Sequence, residues 1–373
     1  MASLQKTKFL NKNVNKMDYS FLLIVFALLS YGLIMVFSAS SATAHYQYGD
    51  AYYFVKRQFI WAVIGIGIMF MISRISCRTI FKYAIHLMAV SVVLLIAVLL
   101  IGIEVKGAKR WIGFGSFSFQ PSEVAKFAII VFLARSLTTN KDALKTFTHG
   151  FLPYILIIGM VAGLVFLEPH FSGAVVIAMT GFIVMWAAGA KFKHFGAIAG
   201  AVVPILGVAM VSASYRLARV TTFLDPFKDT SGDGWQIVQS LYAIGSGGFF
   251  GLGLGQSRQK FLYLPEPQND FIFSIICEEL GFVGAMLVIV LFVLLIWKGI
   301  KIAISAPDKF SALTVIGIIA LIAIQTVFNI AVVTSSIPAT GMPLPFFSYG
   351  GTSLVFILAE MGVVLSVSRE CEV

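Results

Sequence analysis

The chain has 373 residues, of which 59% are hydrophobic and only 12% charged, whereas a soluble domain carries roughly 25% charged residues. With a mean hydropathy of +0.93, it holds more apolar surface than a soluble core of this length can bury, so the bilayer must act as its solvent. The net charge of +10 is accounted for by membrane topology and anionic lipid, which sets nucleic-acid binding aside.

A polar tail, residues 1–18, comes first. Apolar runs of about 20 residues, each long enough to span as a helix, then follow at 19–40, 58–74, 80–103, 121–136, 150–167, 171–189, 195–212, 271–297, 311–335 and 350–368. These runs are too long for barrel strands, and lipid leaves no backbone group unpaired. The prediction is an all-α integral membrane protein of about ten transmembrane helices, one polytopic domain over 1–373. The first span is too long for a cleaved signal peptide. An even span count places both ends on one side. If that side is the cytoplasm, its segments hold 16 of the 27 Lys and Arg, against five in the short outer loops. This bias predicts a multi-pass protein of the cytoplasmic membrane with both termini inside.

Three outer segments interrupt the apolar pattern. The first, 104–120, brings Lys106, Lys109, Arg110 and Trp111 to one membrane surface, just ahead of Gln120-Pro121-Ser122-Glu123. The second is a long loop, 213–270, and long loops in compact proteins are usually functional. It contains turn chemistry from Asp225 to Gly234, a short amphipathic helix expected at the membrane surface from Trp235, and a glycine-dense run from Gly245 to Gly255. Glycine at that density lets backbone approach a ligand closely. The loop ends at Pro265-Glu266-Pro267-Gln268-Asn269-Asp270. The third, Pro338 to Gly351, is rich in proline and glycine and reads as a re-entrant or broken helix.

Charges at membrane depth point to function. Glu123 and Lys126 lie three apart on one helix face and can pair. Glu278 and Glu279 follow Asp270 by two turns. On a continuous helix Glu278 is roughly 80° round from Asp270, the better placed of the two to share a cavity with it. Glu279 reads as a tether to a neighbouring helix or loop, and Glu360 stands alone in the last span. Asp270 has a plain alternative as the N-cap of the next helix, and Trp111 as an interfacial aromatic. Cys77, Cys277 and Cys371 have neither metal nor disulfide spacing, and the five His are scattered.

In this order, the segments resemble the SEDS family (shape, elongation, division and sporulation), typified by RodA, FtsW and SpoVE. The resemblance covers nearly the whole chain. It rests on Phe37-Ser38-Ala39-Ser40, Lys56-Arg57-Gln58, Gly107 to Trp111, Gln120 to Glu123 with Lys126, and Gly251 to Gly255. It continues through Pro265 to Phe273, Glu278-Glu279-Leu280-Gly281 and Gly341 to Gly351. The Phe37–Ser40 segment looks more like the division and sporulation branch than the elongation branch. The resemblance implies polymerisation of lipid II into glycan strands at the outer face of the membrane, with inversion at the donor carbon. It implies a class B penicillin-binding protein as partner and membrane lipid as surroundings. It makes Asp270 the catalytic residue and Trp111, Glu123 and Lys126 functional. Lys109, Arg110, Glu278 and Ser348 complete the candidate substrate contacts. No cofactor is demanded; magnesium or manganese could assist a diphosphate leaving group, although no metal motif is present. Where the family often carries Asp in a Pro-Asp-x-Gly-type motif, this chain has His170, with Glu168 nearby. The rival reading is a lipid II flippase, which predicts charge along a transmembrane path.

Overall fold

The structure is a computed structural model. It describes residues 17–105, 108–114, 117–140, 144, 146–198, 200, 223, 225–228, 234–261 and 263–371.

Helix α1 (Tyr19–Tyr48) opens on Asp18, whose carboxylate accepts from the Phe21 amide at 2.9 Å, and closes on Gly49 in the left-handed region at φ 70°. It runs eight residues past the expected span end, because the small polar residues after Phe37 do not break a helix that continues out of the apolar layer. Helices α2 (Tyr53–Ile72) and α3 (Cys77–Ile101) follow. The segment 103–119 then folds into strands β1 (Ile103–Val105), β2 (Ala108–Phe114) and β3 (Phe117–Phe119). They form an antiparallel sheet in the order β1-β2-β3, with Glu104 opposite Lys109 and Ile112 opposite Phe119. This sheet is an addition to the all-helical expectation. Hairpin pairing satisfies the backbone groups of a loop lying against apolar neighbours.

Beyond the sheet come α4 (Pro121–Thr139), α5 (Leu152–Leu167), entered through a π-helical turn, and α6 (Phe171–Ala187). The expected span 195–212 lies largely outside the described residues, as do Lys106, Gly107, Tyr215, Arg216 and Arg219. The amphipathic helix is present as α7 (Trp235–Gly247), packed on α8 (Ile272–Ile304). Helices α9 (Lys309–Val333) and α10 (Gly351–Glu370) complete the bundle. Among the described residues, seven helical segments are long and apolar enough to cross a membrane. Helix α4 falls short of that standard because Glu123, Lys126 and Arg135 lie within it, and α6 because it has 17 residues.

Helices α9 and α10 are mostly buried, while α2 and α3 turn much of their surface outward. Helix α9 packs against α4, α6 and α8, and α10 against α2. The segment 338–350 is neither helix nor strand, yet Met342, Leu344, Phe346 and Phe347 are all buried. Of the expected re-entrant or broken helix, the re-entry is present, but as turns and extended chain rather than helix. Gly32 of α1 makes room for it: a Cβ there would stand 2.2 Å from the Phe346 carbonyl oxygen.

The glycine-dense run also finds its partner inside the protein. Helix α8 is broken at Gly281, with φ 65° and ψ −161°. The amides of Leu252 and Gly253 donate to the carbonyls of Glu278 and Glu279, and those of Phe282 and Val283 donate to the carbonyls of Gly248 and Phe249. A Cβ on Gly281 would lie 2.3 Å from the Gly251 nitrogen, and one on Gly247 1.9 Å from the Cys277 carbonyl oxygen. The close approach that glycine permits is therefore to the chain's own α8 backbone.

Candidate active site

The connections after α1, α3 and α5, the segments before α8 and α10, and the sheet all meet at one end of the bundle. Helix α4 starts there. Gln120 precedes it and Pro121 occupies its first position, where a missing N–H costs nothing. Glu123 sits in the first turn, where the helix dipole favours an anion. Both of its oxygens meet Lys126 Nζ, at 2.8 and 2.7 Å, and both side chains are almost fully buried. The expected pair is formed. Glu360 is not alone: buried in α10, it lies within electrostatic reach of Lys126 and Glu123.

Gln120 Nε2 lies 2.9 Å from His170 Nδ1 in the turn joining α5 to α6. An amide N–H donating there leaves the imidazole neutral with its hydrogen on Nε2. Loss of hydration, with Arg110 and Lys126 nearby, pulls the His170 pKa down to about 3. Arg110 on β2 donates from Nε to the Glu168 carbonyl at 3.2 Å, and from its other end to the Pro169 carbonyl. The Glu168 carboxyl is fully buried, with no hydrogen bond to either oxygen. Burial raises its pKa to about 8 against the opposing pull of Arg110. Trp111 is half-buried next to Arg110, and Lys109 is exposed.

Asp270 stands across the same turn. It is not the N-cap residue: α8 begins at Ile272 and its N-cap residue is Phe271, which makes no side-chain cap hydrogen bond. The Asp270 carbonyl instead accepts from Asn329 Nδ2 of α9 at 2.7 Å, and the same amide donates to the Met342 carbonyl at 2.7 Å. A Cβ on Gly341 would lie 3.6 Å from Asp270 Oδ2. The neighbouring Thr340 carbonyl accepts from Ser172 Oγ of α6 at 2.7 Å. Residues 340–342 thus bridge Asp270 to the start of α6, which holds His170 against Gln120 and α4. Arg110 and Lys126 both lie within electrostatic reach of His170 in that turn.

Two predicted residues are engaged elsewhere. Glu278 does not follow Asp270 round a continuous helix, because Asp270 and Phe271 precede it. Its carboxylate accepts from Ser257 Oγ and from the amides of Arg258 and Gln259. Ser348 Oγ accepts from the Leu344 amide at 2.7 Å, closing its own turn. Glu279 is the tether expected: it accepts from Ser38 Oγ and pairs with Lys260 at 2.9 Å, all buried. Sequence reading did not single out Asn329 or Lys260. Asn329, a buried amide in a mostly apolar span, carried a signal; Lys260, in a loop, carried none. Among the described residues no three His, Cys, Asp or Glu side chains group as a metal site.

The profile of the FtsW/RodA/SpoVE family, described as cell cycle proteins, matches residues 19–372. The chain belongs to that family. It is 44% identical over 359 residues to stage V sporulation protein E of Bacillus subtilis, covering 94% of this chain and 97% of the relative. It is 42% identical over 353 residues to the probable peptidoglycan glycosyltransferase FtsW of Trichlorobacter lovleyi, covering 94% and 93%. Among solved structures, it resembles a chain of a peptidoglycan synthase complex that coordinates polymerization and crosslinking. That match has a TM-score of 0.80 and 30% identity, covering 95% of this chain and 98% of that one. RodA of Thermus thermophilus matches with a TM-score of 0.71 and 28% identity, covering 96% and 98%. The RodA-like fold and the long apolar helices make this a multi-pass membrane protein.

Proposed function

We propose that this protein is a peptidoglycan glycosyltransferase that polymerises lipid II into glycan strands at the outer face of the cytoplasmic membrane, in division or sporulation. The observation that carries the reading is the segment 340–342, which lies beside a half-exposed Asp270 and bonds to the start of α6, next to the turn that holds Arg110. The names of the FtsW and SpoVE relatives support it.

In this reading Asp270 is the general base. It takes the proton from the acceptor sugar's 4-hydroxyl as that oxygen attacks the donor's anomeric carbon. The bond from that carbon to the diphosphate oxygen breaks, and the polyprenyl diphosphate leaves with the electron pair, needing no proton. One carboxylate therefore suffices, whereas glycosidases usually need two. Attack opposite the leaving group inverts the α-linked donor to β. Arg110, held on the α5–α6 turn, and exposed Lys109 supply cations that stabilise a departing diphosphate. Lys126, gripped by both oxygens of Glu123, serves to fix the first turn of α4. A magnesium or manganese ion would draw most of its oxygen ligands from the diphosphate. The partner is a class B penicillin-binding protein, in keeping with the crosslinking function of the similar complex.

The test is the purified Asp270→Asn protein, with its transpeptidase, supplied with lipid II. Polymer formation should fall by about a hundredfold or more; strands made at the wild-type rate would refute the base assignment. The flippase alternative has the buried Glu123–Lys126–Glu360 group in its favour, as charge inside the bundle. Vesicles loaded with labelled lipid II separate the two readings: movement between leaflets without polymer selects the flippase.

A further inference from the structure

The turn between α1 and α2 carries a group of side chains that the proposed reaction does not use. Tyr48 and Tyr53 stack face to face, 3.8 Å between centroids and 6° from parallel. The Arg57 guanidinium lies over the Tyr53 ring at 4.4 Å and beside the Tyr349 phenol. Tyr48 and Arg57 are exposed, so the stack offers solvent an aromatic face and a planar set of donors.

This group is rigidly held. Gly49 closes α1 in the left-handed region, and Asp50 accepts from the Tyr52 amide and pairs with Lys56 at 2.7 Å. Tyr349 packs edge-on to Phe54 at 4.9 Å. Gln58, buried, donates to the Ser348 carbonyl and accepts from the Gly350 amide. The Tyr349 amide donates to the Gln268 carbonyl at 2.8 Å, two residues before Asp270. The stack is therefore fastened to the segment that carries the proposed base, and it shares that base's end of the bundle. Among the described residues no carboxylate is paired with Arg57.

We propose that Tyr48, Tyr53, Arg57 and Tyr349 form a carbohydrate subsite that holds the N-acetylated amino-sugar strand beside Asp270. Aromatic faces carry partial negative charge and attract the polarised C–H face of a pyranose ring. The flat guanidinium, fixed by its tyrosines, presents N–H donors to sugar hydroxyls and to stem-peptide carboxylates. A chain held one or more sugars away from the reacting end stays bound between additions, so the subsite sets strand length. The proposal rests on the glycosyltransferase reading.

The experiment uses the full-length protein with its transpeptidase, lipid II as substrate, and gel separation of the strands. Tyr48→Ala and Arg57→Gln should shorten the median strand by about fivefold, the scale of one lost aromatic or guanidinium contact. Tyr48→Trp, which keeps the stack, should preserve it. A soluble GlcNAc–MurNAc tetrasaccharide should show saturation transfer from wild type and from Tyr48→Trp, and lose it in Tyr48→Ala. Strands of wild-type length from both Tyr48→Ala and Arg57→Gln overturn the subsite. So does shortening that added anionic lipid reverses, which would make the patch a headgroup anchor. If wild type makes no polymer, the glycosyltransferase reading fails, and the tetrasaccharide measurement decides the subsite by itself.

Discussion

Glu168 and His170 flank Pro169 in the turn between α5 and α6, and the fold moves their protonation in opposite directions. The Glu168 carboxyl is shifted by burial from 4.5 to about 8. Between those values the folded protein keeps a proton that the unfolded chain has lost, so stability falls as pH rises through the window. His170 is shifted from 6.5 to about 3. There the unfolded chain takes up a proton that the folded protein refuses, so stability falls as pH drops from 6.5 towards 3. Thermal melting in detergent should show both slopes. Glu168→Gln should flatten the upper one, and His170→Asn, which keeps a partner for Gln120, the lower. Melting curves of the two variants that track wild type across pH would refute both assignments. The sequence made His170 visible as a departure from the family pattern. It did not reveal that a neutral imidazole bonded to Gln120 takes that place, because the bond joins residues 50 apart.

At the scale of elements, the loop 248–260 and the broken α8 hold each other. The Lys260–Glu279 ion pair is buried, with Ser38 and the Ser257 amide completing the shell of Glu279. Taking two charges out of water is costly, and removing one partner leaves the other unpaired. Lys260→Met should therefore destabilise the protein by about 3–5 kcal/mol, and Lys260→Met with Glu279→Gln by less than the sum of the single changes, as read in unfolding titrations. Additive effects would mean that the pair does not couple. Glycine spacing was legible in the sequence as a demand for close backbone approach. What the backbone approaches was not, because a loop and a helix thirty residues apart leave no periodic trace of their pairing.

For the whole molecule, the basic-residue bias predicts that the sheet-bearing end faces outward. Cysteines introduced at exposed Lys109 and exposed Arg78, in a background lacking Cys77, Cys277 and Cys371, report this directly. A membrane-impermeant thiol reagent added to intact cells should label the first and spare the second. The reverse pattern would invert the topology and move Asp270 away from the compartment where strands are made.

Apolar content by itself determined that this is a helical membrane protein, and run lengths placed most of its spans, because lipid demands about 20 apolar residues per crossing and every backbone bond made internally. The positions of Pro, Gly and charge marked the three interrupting segments. Helix ends were less legible: α1 continues past its apolar run, since helical hydrogen bonds do not require lipid. Only the tertiary structure decided which polar side chains meet. Glu360 joins Glu123 and Lys126 through the packing of α10 near α4, and the Asp270 carbonyl is bonded to Asn329 of α9, whose amide also holds the Met342 carbonyl. The Asn329–Asp270 contact joins residues 59 apart, where the folded path of the chain, rather than local spacing, sets the distance.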